Sequence, residues 1–115
     1  MYGSEWIKLA DSTEAIFPLG QTLVTITVEG RQVCMARNNG NLYALSATCP
    51  HAGTLMAGGY IDALENIVCP RHFYKFQLAT GRNVTGEGYT LKTYQLEHRP
   101  DGLFILLPKA SINNS

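Results

Sequence analysis

Two short segments of the chain combine cysteine with histidine. The first is Cys49-Pro50-His51 and the second is Cys69-Pro70-Arg71-His72, with seventeen residues between His51 and Cys69. Each segment offers one thiolate and one imidazole, both of which are ligands for transition metals. A proline follows each cysteine, which stiffens the loop and removes one backbone donor. The pattern therefore predicts a metal site that is built from two loops.

The spacing bears on which metal this site holds. Structural zinc sites usually open with two cysteines two to four residues apart and close with two similarly spaced histidines. Here each segment mixes the two ligand types instead. One mixed pair per loop suits a two-iron cluster in which one iron takes both thiolates and the other takes both imidazoles. A structural zinc module with the same four ligands stays open as an alternative.

The residues around these segments resemble those of the Rieske [2Fe–2S] proteins. The resemblance lies in Cys49-Pro-His-Ala-Gly53, in Cys69-Pro-Arg-His-Phe-Tyr-Lys-Phe76 and in Ala79-Thr-Gly81. It implies the Rieske fold and one [2Fe–2S] cluster per chain. It also implies that Cys49 and Cys69 bind one iron as thiolates, whereas His51 and His72 bind the other iron through Nδ1.

Departures from the family's high-potential members indicate the subclass. Those members carry a disulfide between the two loops, but its positions hold Thr54 and Arg71 here. They also place a serine and a tyrosine after the second histidine as hydrogen-bond donors to the sulfurs, where this chain has Tyr74 and Phe76. Fewer donors stabilise the added electron less. The chain is therefore similar to the soluble, low-potential Rieske-type ferredoxins.

The resemblance implies an electron carrier and not an enzyme, with no catalytic residues of its own. Electrons would come from a flavin-containing NAD(P)H reductase and pass to an oxygenase or another redox acceptor. A terminal oxygenase would need a second iron site of two histidines and one carboxylate, and His98, in a predicted turn, is the one histidine left. The alternative is a small Rieske-like subunit of a nitrite-reductase-like complex.

Composition limits the partners and the compartment. The 115 residues carry nine basic and nine acidic side chains, so the formal net charge is zero. This balance argues against nucleic acid or an anionic membrane as a partner. The longest apolar run, 103–107, is far too short to span a bilayer, and no signal peptide is visible, so we expect a cytoplasmic protein. An odd cysteine count disfavours a disulfide framework, and Cys34 is expected to be a small core residue.

The remaining pattern predicts an all-β fold. Leu23 to Val28 alternates apolar and hydroxyl residues, and Asn38-Asn39-Gly40-Asn41 is a hairpin signal. No stretch holds a helical period. We therefore expect an antiparallel β-sandwich or barrel in one domain, 1–115, with a loop-rich cluster-binding subdomain at about 46–76. The predicted strands are 6–9, 23–28, 31–37, 42–45, 90–97 and 102–107.

Three side chains near the second histidine keep open roles. Arg71 and Lys75 either form a positive patch for an acidic partner or are ordinary solvated residues. Tyr74 either covers the cluster or fills the core. All three lie within 48–88, which combines many glycines with four candidate ligands, and function is expected there because binding residues concentrate in loops.

Overall fold

A computed structural model describes residues 3–51 and 53–109. Ten strands and two single 3-10 turns make up its regular structure. None of the helices in these two ranges is long and apolar enough to cross a membrane. The strands are β1 (Ser4–Ala10), β2 (Leu23–Val28), β3 (Arg31–Asn38), β4 (Asn41–Ser46), β5 (Tyr60–Ile61), β6 (Asn66–Val68), β7 (Lys75–Gln77), β8 (Thr93–Tyr94), β9 (Leu96–Arg99) and β10 (Gly102–Pro108), and the 3-10 turns are Thr13–Ala15 and Met56–Gly58.

The strands form three antiparallel sheets, which confirms the predicted all-β class. One sheet has the order β2-β3-β4-β8, the second β1-β10-β9 and the third β5-β6-β7. The β3–β4 hairpin turns at Asn39 and Gly40, whose φ angles of 52° and 79° suit the two central positions of a tight hairpin. Asparagine and glycine tolerate this conformation best, which is why the sequence identified the turn.

Strand β3 is buried on both faces and takes part in two cores. Val33 and Met35 pack with residues of β10 such as Ile105 in one core. Cys34 and Ala36, on the opposite face of the strand, belong to the other core. The run of small and apolar residues in β3 is typical of a strand that is covered on both sides.

The third sheet was not predicted, and it carries the second cysteine segment. β6 ends at Val68 and β7 begins at Lys75, so residues 69–74 are the hairpin loop between them. Its strands have two or three residues each, too few for a period of two to show in the sequence. Ile67 and Phe76 of this sheet are fully buried in the same core as Cys34.

The strand predicted at 90–97 is two strands in the structure. β8 pairs with β4, whereas β9 pairs with β10 in a different sheet. The chain changes sheet at Gln95, whose carbonyl accepts a hydrogen bond from the backbone N–H of Leu106. His98 consequently lies on β9, exposed and paired in register with Leu103, and not in a turn as predicted.

Candidate metal centre

The first cysteine segment forms a loop closed by its own backbone. The Cys49 N–H donates to the carbonyl of Thr54 (2.8 Å), and the Gly53 N–H donates back to the carbonyl of Cys49 (2.9 Å). Gly53 has a φ of 70°, in the left-handed region that glycine adopts without cost. The loop therefore owes its shape to a glycine four residues after the cysteine.

The second segment repeats this backbone. The Cys69 N–H donates to the carbonyl of Tyr74 (2.9 Å), and the Phe73 N–H donates to the carbonyl of Cys69 (3.0 Å). Phe73 takes the place of Gly53, with a φ of 63° and 62% of its surface exposed. A bulky side chain in this conformation is strained. The two loops are thus structural equivalents, although only one has glycine where the backbone favours it.

The four predicted ligands come together in two pairs. The thiols of Cys49 and Cys69 are buried, with 2% and 1% exposure, and both belong to one core cluster. His51 and His72 are exposed, and their Nδ1 atoms lie 3.2 Å apart. Two imidazole nitrogens on one tetrahedral ion, at about 2.0–2.1 Å each, would be separated by about 3.3 Å. The donor set therefore fits one metal between the imidazoles, with two thiols on the interior side.

Two tyrosines cover one side of this pair of imidazoles. The Tyr74 ring lies 4.7 Å from that of His51 and 6.0 Å from that of His72. Tyr89 lies 5.6 Å from His51 and stacks on Tyr74 at 6.1 Å. Tyr74 is therefore a site residue. Tyr89 lies in a distant part of the chain, and no motif in the sequence connects it with the two cysteine segments.

The hydroxyl of Tyr74 remains protonated at neutral pH. Its pKa is raised above the usual value, first by desolvation and then by the negative charges of Glu87, Tyr89, Cys49 and Cys69. Both site thiols are thus near enough to influence this phenol. A protonated phenol is a donor, so Tyr74 can supply a hydrogen bond or an oriented dipole toward negative charge at the site.

A third loop, residues 83–89, is attached to the strand that follows the second cysteine segment. The Val84 N–H and the Asn83 side-chain amide both donate to the carbonyl of Lys75, at 3.0 and 3.2 Å. The Lys75 N–H donates in turn to the hydroxyl of Thr85 (3.2 Å). These bonds fix the third loop to β7, and Tyr89 at its end lies against the imidazole of His51.

The same loop holds a carboxylate in a fixed position. Asn83 donates to Oε1 of Glu87 (2.9 Å), and the Glu87 N–H donates to Oδ1 of Asn83 (2.7 Å). The hydroxyl of Thr85 also donates to this carboxylate oxygen. The Thr85 hydrogen bond is the main reason why the pKa of Glu87 is below its usual value, and the charge of His51 adds a smaller contribution. Glu87 is therefore ionised at neutral pH.

Arg71 and Lys75, interpreted from the sequence either as a positive patch or as ordinary solvated residues, differ in their surroundings. Lys75 forms an ion pair with Asp62, with 3.3 Å between Nζ and Oδ2, whereas Arg71 is exposed. Cys34 is fully buried, and burial raises the pKa of its thiol to about 12. It lies in the core, as the sequence predicted.

Most of this chain is similar to a known protein family. The family model of the Rieske [2Fe-2S] domain matches residues 5–95. The ferredoxin component of the naphthalene 1,2-dioxygenase system of Pseudomonas aeruginosa is 32% identical over 94 residues, which cover 81% of this chain and 86% of that protein.

Two solved structures have a similar fold. One is a chain of the complex of reduced oxygenase and oxidized ferredoxin in carbazole 1,9a-dioxygenase, with a TM-score of 0.72, 20% identity and coverage of 87% of this chain and 91% of that chain. The other is a putative NADH-dependent nitrite reductase small subunit from Mycobacterium tuberculosis, with a TM-score of 0.73, 19% identity and coverage of 95% and 98%. At this identity, both show the fold alone.

Proposed function

The chain belongs to the Rieske [2Fe–2S] domain family, and we propose that Cys49, His51, Cys69 and His72 hold its cluster. The thiolates of Cys49 and Cys69 would hold one iron, and the Nδ1 atoms of His51 and His72 would hold the other. The observation that carries this assignment is the 3.2 Å separation of the two Nδ1 atoms beside two buried thiols. When bound, such a cluster accepts and releases one electron, at a potential raised because two neutral imidazoles replace two thiolates.

The exposed imidazoles are the point at which electrons enter and leave. Cys49 and Cys69 face the core, which no partner can approach, whereas His51 and His72 lie at the surface. Tyr74 and Tyr89 cover one side of the imidazoles and leave the remaining rim as the contact area. A partner that docks there would bring its own redox centre close to the exposed imidazoles of His51 and His72.

We propose that this carrier takes electrons from a flavin-containing NAD(P)H reductase and passes them to an oxygenase, in the cytoplasm. One electron leaves the reduced flavin, resides on the chain and then reduces the acceptor, so each transfer is balanced. The ferredoxin component of a dioxygenase system, similar over most of both chains, supports this role. The expected organisation is one domain, 1–115, in which residues at about 46–76 bind the cluster.

The fold of nitrite reductase small subunits supports a second candidate, in which the chain works only within a larger complex. Size-exclusion chromatography of a cell extract separates the two. A free carrier elutes near its own mass of 12.6 kDa, whereas a subunit elutes with its large partner. Sequence identity to ferredoxin components favours the free carrier.

Metal analysis tests the ligand assignment with a matched control. Cys69→Ser removes a proposed ligand, whereas Cys34→Ala removes an equally buried thiol that is not a ligand. We expect about two irons and about two acid-labile sulfides per chain in the wild type and in Cys34→Ala, and a loss of both in Cys69→Ser. Wild-type protein without iron and sulfide after anaerobic purification, or Cys69→Ser with full content, would refute the assignment.

Stopped-flow absorbance tests the carrier role. The oxidised protein is mixed with NADH and a catalytic amount of a flavoprotein reductase from a dioxygenase system, and the reduced protein is then mixed with the oxidised oxygenase of that system. Bleaching in the first step and recovery in the second, both absent with Cys69→Ser, are the expected results. An oxygenase that is not reduced at any protein concentration would contradict this choice of acceptor.

A further inference from the structure

The third loop, residues 83–89, holds a fixed negative charge two residues before Tyr89, whose ring lies 5.6 Å from that of His51. Glu87 is tied to Asn83 and Thr85, and both of these residues are hydrogen-bonded to Lys75 on β7. β7 begins directly after the loop that carries Cys69 and His72. The carboxylate therefore has a short and rigid connection to the second cysteine loop.

The other end of the loop fixes its position relative to the first histidine. Tyr89, two residues after Glu87, has its ring 5.6 Å from that of His51 and stacks on Tyr74. Glu87 lies between two anchors, β7 on one side and this aromatic stack on the other. A side chain held in this way cannot swing into solvent without breaking the hydrogen bonds to Asn83 and Thr85.

We propose that the fixed carboxylate of Glu87 lowers the reduction potential of the cluster through its negative charge. This inference rests on the proposed ligand assignment. Reduction adds one negative charge at the site, and a nearby carboxylate opposes that charge, so it favours the oxidised state. Nearby cations act in the opposite direction, but Lys75 is neutralised by Asp62, and the exposed Arg71 is screened by solvent.

The charge persists under ordinary conditions. Hydrogen bonds from Thr85 and Asn83 keep the pKa of Glu87 low, so the carboxylate remains ionised at neutral pH. A half-buried charge is also screened by salt less than an exposed one. These properties make Glu87 suited to setting a potential, which an exposed and mobile carboxylate would do only weakly.

Redox titration of the holoprotein tests the proposal. Glu87→Gln removes the charge and keeps the shape of the side chain, and Glu5→Gln removes an exposed charge on β1, in a sheet that holds no ligand. Glu87→Gln is expected to increase the equilibrium constant for reduction by a mediator about three- to tenfold, or roughly 30–60 mV for one electron. Glu5→Gln is expected to leave it unchanged, and Glu87→Asp, which keeps the charge, to change it less than Glu87→Gln.

Three results would overturn the proposal, two of them seen in the potential. One is an unchanged potential in Glu87→Gln with full iron and sulfide content. The other is an equal shift in Glu87→Asp and Glu87→Gln, which would assign the effect to shape and not to charge. If Glu87→Gln does not retain the cluster, Glu87→Ser supplies a second neutral variant. Loss of the cluster in both, with retention in Glu87→Asp, would assign the carboxylate to assembly and also reject the proposal.

Iron and sulfide are measured on the same samples, so a failure of the Glu87 proposal can be distinguished from a failure of the ligand assignment. A wild-type protein without a cluster would refute the assignment before any potential is measured. A wild-type protein with a cluster, whose potential does not respond to Glu87→Gln, would refute only the role of Glu87.

Discussion

Because the two cysteine loops have equivalent backbones, glycine is expected to give a more stable protein than alanine at position 73. Phe73 has a φ of 63° and occupies the position that Gly53, with a φ of 70°, occupies in the first loop. A left-handed backbone costs a non-glycine residue roughly 1–2 kcal/mol. Phe73→Gly and Phe73→Ala both remove the same aromatic ring, so the difference between them isolates the backbone. Phe73→Gly is expected to be about 1 kcal/mol more stable than Phe73→Ala.

This order of stability, with glycine above alanine, is the opposite of the usual one. Within a strand, glycine is less stable than alanine by roughly 0.5–1 kcal/mol. Thr27, an exposed residue of β2, supplies the matched control, since Thr27→Ala is expected to be more stable than Thr27→Gly. Gly53→Ala is the reciprocal change. A Cβ there would meet no atom within 4 Å, so its cost is that of the backbone alone, about 1–2 kcal/mol.

Thermal unfolding of the holoproteins, followed by circular dichroism at one fixed scan rate, measures these differences. In a domain of this size, 1 kcal/mol corresponds to roughly 4 °C in Tm. Phe73→Gly is expected to unfold about 4 °C above Phe73→Ala. If Phe73→Gly unfolds below Phe73→Ala, as at Thr27, then Phe73 is not left-handed in the folded protein, and the equivalence of the two loops is refuted.

Three further outcomes follow from the structure. Cys34 is fully buried, and burial raises the pKa of its thiol to about 12. It is therefore expected to resist iodoacetamide in the native protein and to react after unfolding in denaturant, with the added groups counted by mass spectrometry. Alkylation of Cys34 in the native protein would contradict its burial. Burial raises the pKa of Asp62, but hydrogen bonds from Asn66, Leu64 and Lys75 outweigh it and hold the pKa below its usual value. A carboxyl group whose pKa is lowered in the folded state stabilises the fold above its unfolded pKa of about 4, and this effect is lost as the pH falls through its folded pKa. Asp62→Asn is therefore expected to lower the free energy of unfolding in urea by about 1 kcal/mol at pH 7, and by progressively less below about pH 4. An equal loss at pH 3 and pH 7 would contradict this expectation. A Cβ on Gly81 would lie 1.7 Å from the carbonyl oxygen of Leu91, whereas a Cβ on Gly86 would meet nothing within 4 Å. Gly81→Ala is therefore expected to yield little folded protein, and Gly86→Ala to lose only about 1–2 kcal/mol of stability. Equal yields of folded protein from the two variants would refute this contrast.

Local patterns in the sequence identify part of this structure well. The bounds of β2 and the hairpin at Asn39 and Gly40 agree with the predictions, because alternation and positive φ leave a direct mark on residue type. The spacing of cysteine and histidine predicted the cluster class, and the match to a [2Fe-2S] domain leaves the zinc alternative without support.

The contacts that complete the site are not local, and the sequence did not reveal them. Tyr89 reaches His51 and Tyr74 through ring contacts between segments far apart in the chain, and hydrogen bonds to Lys75 hold the loop that carries Glu87. The sequence of this loop contains asparagine and glycine, which predict a turn but do not show which part of the fold the turn contacts. The sequence left Lys75 as part of a positive patch or as an ordinary solvated residue, and only the fold shows that Asp62 pairs with it.

X-ray absorption at the iron edge of the anaerobically purified protein tests the central claim most directly. Two thiolates on one iron and two imidazoles on the other, with two bridging sulfides, predict on average about three sulfur and about one nitrogen neighbour per iron. Replacement of His51 or His72 by cysteine is expected to raise the sulfur count if the cluster is retained. About four sulfur neighbours and no nitrogen in the wild type, or a metal other than iron at the site, would contradict the assignment of Cys49, His51, Cys69 and His72.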